Sequence, residues 1–233
     1  MEVAVSGDRS CVLSTQLAPR TYFFAVAHGF GLIDGEPPAR IALQRLRGEF
    51  ERRGRPERVR RAKARPKAIA SLLIAALARV NGDLHVRSAS HDDYTTAGCS
   101  LTAALVIDER AYLAHVGTSA AYLSRDGFTV CLTKEDAFDA GTRSVLVRAI
   151  GVQPHLEVSV CSFTLGNGDS LVLSGRRLGS ADLERADFDE GLIVRYGPDE
   201  ESSTARGGSP RAWLAFINGA VATAVFYAAL CLG

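Results

Sequence analysis

The chain has 233 residues, 47% hydrophobic and 23% charged, a composition that excludes a disordered polymer and favours one large globular domain. Its net charge of +1 gives no overall attraction to nucleic acid, so no nucleic-acid partner is expected and any electrostatic role must be local. Five cysteines, Cys11, Cys99, Cys131, Cys161 and Cys231, occur without a C-x-x-C pair, which argues against a disulfide framework or structural zinc and fits a reducing cytoplasm.

The opening MEVAVSGDRS has no basic segment followed by an apolar core, so no secretory signal is expected. Residues 22–31, YFFAVAHGFG, form an apolar run closed by glycines and predict a buried strand running into a tight turn. A helix is expected from Pro37 to Gly54, with Ile41, Leu43, Leu46 and Phe50 at roughly helical spacing, prolines at its start and a glycine at its end. The basic stretch from Arg52 to Lys67 reads as a solvated face or linker, with a lipid or acidic-partner surface as the alternative. From Lys67 to Val80, KAIASLLIAALARV predicts a core helix with a broad apolar face.

Between Ser100 and Val130, short apolar runs alternate with turn signals. The pattern predicts antiparallel sheet with a hairpin at Asp126-Gly127. Further strands are expected at LEVSVCSFTL, at SLVLS and at GLIVRY. After Pro198, residues 198–211 read as a flexible linker. Residues 212–233 then carry no charge, and such a stretch as a helix covers about 30 Å, the thickness of a bilayer's hydrocarbon core. With Arg206 and Arg211 at its start, a C-terminal transmembrane helix holding a cytoplasmic domain at the membrane is expected. A buried terminal helix or a subunit contact is the alternative.

The segment AGCSLTAALVIDERAYLAHVGTSAAYLSRDG, Ala97 to Gly127, resembles the bacterial PP2C pattern GTTLTAALV…LYVAHVGDSRAYLLRDG. AVAHGFG at 25–31 resembles AVADGMG, VLVRAIGVQPHLEVSV at 145–160 resembles LTRALGTDPDVEPDV, and GNGDSLVLSGRRL at 166–178 resembles PGDRLLLCSDGL. The blocks fall in the family's order and together span most of residues 22–196. The resemblance is to the bacterial PPM/PP2C-type metal-dependent Ser/Thr protein phosphatases. It implies an α+β fold in residues 1–197, a four-layer α/β/β/α sandwich of two antiparallel sheets flanked by helices, partly truncated because the stretch after Leu178 is short.

In active members the resemblance implies a pair of Mg²⁺ or Mn²⁺ ions held by carboxylates, with a bridging hydroxide attacking phosphoserine or phosphothreonine. The Asp that bridges both ions falls on His28 here, beside a retained Gly29. An imidazole cannot bridge two cations as a carboxylate does. The Asp of the SDG block falls on Arg176, followed by Arg177. A guanidinium about 4 Å from a divalent ion would cost roughly 8 kcal/mol at an effective dielectric near 20. Thr118 stands at the Asp of the family's GDSRAY. Asp189, followed by Glu190 where the family has Asn, maps to the last ligand, with an ordinary loop acid as an equal alternative; Asp8 and Arg9 are remnants of an N-terminal acidic element and its phosphate-binding Arg, or a polar turn.

The metal-site positions are thus His28, Gly29, Arg176, Asp189 and Thr118, with Asp189 and Gly29 as the remaining metal contacts and Arg176, Arg177 and Arg9 as phosphate contacts. No cofactor is expected. The reading that follows is a catalytically impaired pseudophosphatase that binds a protein kinase or a phosphoprotein. The alternative is an active metal-dependent phosphatase requiring Mg²⁺ or Mn²⁺, and fold alone does not choose between them.

Overall fold

Alternation along the strands builds the molecule. The computed structural model describes residues 3–6, 9–53, 65–89, 97–139, 144–179, 182–183, 191–196, 213–217 and 222–225. The first sheet contains β1 (Val3–Ser6), β2 (Ser10–Ala18), β3 (Thr21–Phe30), β4 (Gly98–Ile107), β5 (Arg110–Val116) and β10 (Ser159–Thr164), in that spatial order. The second contains β6 (Ala120–Arg125), β7 (Phe128–Cys131), β11 (Ser170–Ser174), β12 (Gly191–Tyr196), β13 (Trp213–Ile217) and β14 (Ala222–Val225), ordered β14-β13-β12-β11-β6-β7. All pairs are antiparallel except β12 with β13. A short ribbon joins β8 (Ala137–Asp139) to β9 (Ser144–Leu146).

Residues of opposite parity on β3 serve two cores. Phe23, Ala25 and Ala27 point to one side, where α1 (Pro38–Arg53) and α2 (Pro66–Ala89) pack; Tyr22, Phe24 and Val26 point to the second sheet, against Leu171, Leu173, Leu192 and Val194. Phe23 stacks on Phe50 of α1 with ring centroids 4.1 Å apart. An ion pair of 2.6 Å between Arg79 and Glu49 joins the two helices.

The strand expected over 22–31, the helix over 37–54 and the sheet pattern after Ser100 all form. Asp126 and Gly127 take φ of 50° and 80°, the two positive values that a tight hairpin turn of this kind requires. The second helix runs beyond Val80 to Ala89, because its apolar stripe continues to Leu84 and because Asn81 is used rather than exposed. Buried Asn81 donates through Nδ2 to the Gln153 carbonyl at 2.8 Å and accepts from the Gly151 N–H at 2.8 Å. Strands β1 and β2 were not expected from the sequence.

Layers of helix, sheet and sheet are formed by described residues. On the outer face of the second sheet, Ala120, Tyr122, Val172 and Ile193 pack with Leu178 and Leu183; a helical layer there would fall on residues outside those described. The 198–211 linker and residues 54–64 of the basic stretch also lie outside them. Within 212–233, where a membrane helix was expected, the described residues Trp213–Ile217 and Ala222–Val225 are strands of the second sheet, and the rest of the run lies outside the described residues. An uncharged apolar run suits a buried strand as well as a helix, and Ile217, Val221, Thr223 and Val225 are β-branched. Among the described residues one helix, α2, is long and apolar enough to cross a membrane, and its apolar face is buried against the sheet.

Asn81→Ala leaves the Gly151 N–H and the Gln153 carbonyl without their partner. The variant should lose about 2 to 4 kcal/mol of stability, measured as a lower midpoint in urea unfolding.

Candidate functional site

One end of the sandwich collects polar side chains on the faces that meet between the sheets. Ser10 of β2 and Ser100 of β4 both stand opposite His28 of β3, so the three side chains form a row across three strands. Ser10 Oγ and His28 Nδ1 are hydrogen bonded at 2.7 Å. Ser100 is buried, and its Oγ receives the Thr118 N–H at 2.9 Å and lies 3.1 Å from Thr118 Oγ1. The chain can turn this closely over Ser100 only with glycine before Thr118. Gly117 has φ of 99°, and a Cβ there would sit 2.6 Å from Ser100 Cβ.

A second polar chain lies beside the first. His115 of β5 accepts at Nδ1 from Thr102 Oγ1, 2.9 Å away, while its Nε2–H donates to the Lys134 carbonyl at 3.0 Å. A carbonyl only accepts, so the proton is on Nε2 and Thr102 in turn receives Ser119 Oγ–H at 2.8 Å. Burial pushes His115 below its ordinary pKa, partly opposed by the charge of Asp136. Asp136 itself is buried, accepts the Gly117 N–H at 2.9 Å and pairs with Arg148.

Gly29 sits against the start of α1, where a Cβ would lie 3.1 Å from the Ala39 nitrogen, and its N–H donates to the Arg9 carbonyl at 2.8 Å. Arg9 is therefore beside the site through its backbone; its side chain is exposed. Arg176 and Arg177 follow β11, whose last residue, Ser174, faces Ala120 just beyond Thr118, so both arginines stand at the same end of the sandwich. They are exposed, and Arg176 Nη1 lies 3.6 Å from Asp182 Oδ2. Asp8, Asp189 and Glu190 lie outside the described residues.

The topology thus brings His28, Gly29, Thr118, Arg9, Arg176 and Arg177 to one end. Sequence reasoning missed Ser10, Ser100, Thr102, His115 and Ser119. The alternation S-L-T-A-A-L-V in β4 was the available signal for Ser100 and Thr102, since period two puts both on the face that carries Ala104 and Val106.

Among the described residues no three His, Cys, Asp or Glu side chains cluster as a metal site. Hard divalent cations such as Mg²⁺ and Mn²⁺ take anionic oxygen ligands. The described donors here are an imidazole and neutral hydroxyls already bonded to one another, and Asp136 is taken by Arg148 and Gly117. This donor set does not fit a pair of such ions.

The family model described as Protein phosphatase 2C matches residues 43–137, which include Thr118 but neither His28 nor Arg176. Solved structures with the same fold include the S. agalactiae serine/threonine phosphatase, 16% identical with a TM-score of 0.60 over 74% of this chain and 76% of that one. The Mycobacterium tuberculosis phosphatase PstP/Ppp is 21% identical, with a TM-score of 0.56 over 78% and 86%. A PstP catalytic domain in complex with two manganese ions is 20% identical, with a TM-score of 0.54 over 78% and 85%. A search of curated proteins finds no match. The matched segment is similar to protein phosphatase 2C, and the fold is that of the bacterial PPM/PP2C-type Ser/Thr phosphatases.

The folded state keeps His115 neutral to a lower pH than the ordinary 6.5, so below that value the unfolded chain binds more protons. Its contribution to stability is complete above about pH 6.5 and is lost as pH falls toward the depressed folded value, by at most about 1.4 kcal/mol per pH unit. Urea unfolding at pH 7.5 and 5.5 should show this loss, and His115→Gln should reduce the difference between the two pH values.

Proposed function

We propose that this PP2C-fold protein is a pseudophosphatase, a regulatory module that binds a protein kinase or a phosphoprotein and does not hydrolyse the phosphate. The observation that carries the reading is the neutral and cationic character of the site end. His28 is tied to Ser10, Ser100 to Thr118, and among the described residues two exposed guanidinium groups stand nearby, Arg177 and Arg176, the latter in a long ion pair with Asp182. A manganese pair is held by the PstP catalytic domain; the described residues of this chain do not supply equivalent oxygen anions.

A phosphoryl group on a partner would find cationic donors here. Guanidinium forks match phosphate oxygens, and Arg176 could exchange a long, exposed ion pair with Asp182 for a phosphate at small cost, because exposed ion pairs contribute about 0 to 1 kcal/mol. The reading does not depend on membrane attachment. It requires no cofactor.

The full chain should bind no pair of Mn²⁺ ions by calorimetry and should release no phosphate from a phosphoserine peptide when Mn²⁺ or Mg²⁺ is added. The same peptide should bind, and Arg176→Ala with Arg177→Ala should weaken that binding about tenfold or more. Two-ion binding with metal-dependent turnover would overturn the proposal in favour of an active phosphatase, with Asp8, Asp189 and Glu190 as the residues to change next.

A further inference from the structure

Among the described residues the second sheet ends on β7, and none of them pairs with its outer edge. Phe128 is 78% exposed and Val130 59%. Sheet edges are ordinarily guarded by charged side chains, proline or a covering segment; the run F-T-V-C-L-T from Phe128 to Thr133 has no charge and no proline. Its alternate residues also share a face. Val130 stands opposite Leu123 and Phe128 opposite Arg125, so Phe128, Val130 and Leu132 line the side that continues the core between the sheets.

The ladder on the inner side of β7 determines which backbone groups are left. Leu132 N–H donates to the Ala121 carbonyl at 2.8 Å. N–H and C=O alternate in direction along an antiparallel strand, so Phe128, Val130 and Leu132 bond toward β6 while Thr129 and Cys131 direct theirs outward. A second strand added here must therefore bond to residues 129 and 131.

We propose that two copies of this chain pair through β7 about a twofold axis at Val130, joining their second sheets into one continuous sheet. In this antiparallel register Thr129 of one copy faces Cys131 of the other, so the outward backbone groups meet. Val130 faces its own counterpart and Phe128 faces Leu132, so the apolar side chains meet on one face. Just beyond the strand, Asp126 of each copy comes to the level of Lys134 of the other; both are exposed, and the charges are opposite at both ends by symmetry. Arg125 is not drawn on, since it is bound to Asp169 and to the Thr164 carbonyl. Self-complementarity of backbone direction, apolar side chains and charge in one register is what an isologous interface needs, and it selects a second copy over an unrelated strand.

Sedimentation of the full chain over a range of concentrations tests this. The native chain should shift from monomer to dimer as concentration rises. Thr129→Pro removes an outward N–H without touching the bonds to β6, and should raise the dimer dissociation constant at least about tenfold while far-UV circular dichroism and thermal unfolding stay native. Lys134→Glu sets like charges against Asp126 and should weaken the dimer roughly three- to tenfold. Val130→Cys should give a disulfide-linked dimer above the level of the native chain, because directly opposed residues of a non-hydrogen-bonded pair have Cα atoms about 4.5 Å apart; Phe128→Cys should not. A monomer at every concentration would overturn the proposal. So would a dimer unaffected by Thr129→Pro and not linked by Val130→Cys, which would place the contact elsewhere.

Discussion

The pairing of β3 between β2 and β4 is the constraint from which the rest follows. Side chains on a strand alternate with a period of two, so a slip of one residue would exchange every inward residue for an outward one. Here that slip would drive Tyr22, Phe24 and Val26 into the helices and Phe23, Ala25 and Ala27 into the other sheet, with both sets fully buried as they stand. Two cores therefore hold the same register, and His28 is carried to its place at the end of the sandwich by residues that have no part in chemistry.

That separation of frame from site means that the frame makes no demand on which residues occupy the site end. The apolar faces supply the stability, roughly 25 cal/mol per Å² of apolar surface removed from water, and none of it requires a metal ion. At the site end the polar groups satisfy one another instead. Ser10 serves His28, Ser100 serves Thr118, and Ser119, Thr102 and His115 form a chain ending on the Lys134 carbonyl. Buried polar atoms must find partners wherever they sit, and hydroxyls opposite hydroxyls provide them without charge.

Local patterns were readable in the sequence and distant pairings were not. Asp126-Gly127 between two apolar runs marks its hairpin because only such residues accept two successive positive φ values easily, and the stripe from Ile69 to Val80 marks a helix because its spacing repeats. Strand β2 was hidden: S-T-Q interrupts its apolar run, and its burial comes from lying between β1 and β3, a fact of topology. The end of α2 was misjudged at Asn81-Gly82, since the partners of Asn81 lie some seventy residues away. In the site, alignment to the family pattern located His28, Thr118 and Arg176, but their neighbours Ser10 and Ser100 come from other strands. The described partner of Arg176 is Asp182, six residues on in a stretch where the sequence carries no pattern. The uncharged C-terminal run carries no periodicity that separates strand from helix.

The distribution of charge along the sandwich adds a last consideration. At the end away from His28, arginines clamp the hairpin turns: Arg20 meets Asp108 at 3.0 Å, and Arg125 holds Asp169 at 2.6 Å and keeps its carboxyl below the ordinary range. These pairs fasten loops to strands, and a buried carboxylate such as Asp169 would be costly without one. At the His28 end, Asp34, Asp136 and Asp182 are likewise matched to Arg87, Arg148 and Arg176. A carboxylate already compensated by a guanidinium is a poor ligand for a divalent cation, because binding the ion would require breaking that pair and leaving the arginine beside a second positive charge. The described acidic residues near the site end, Asp34, Asp136 and Asp182, are thus bound up in holding the frame together.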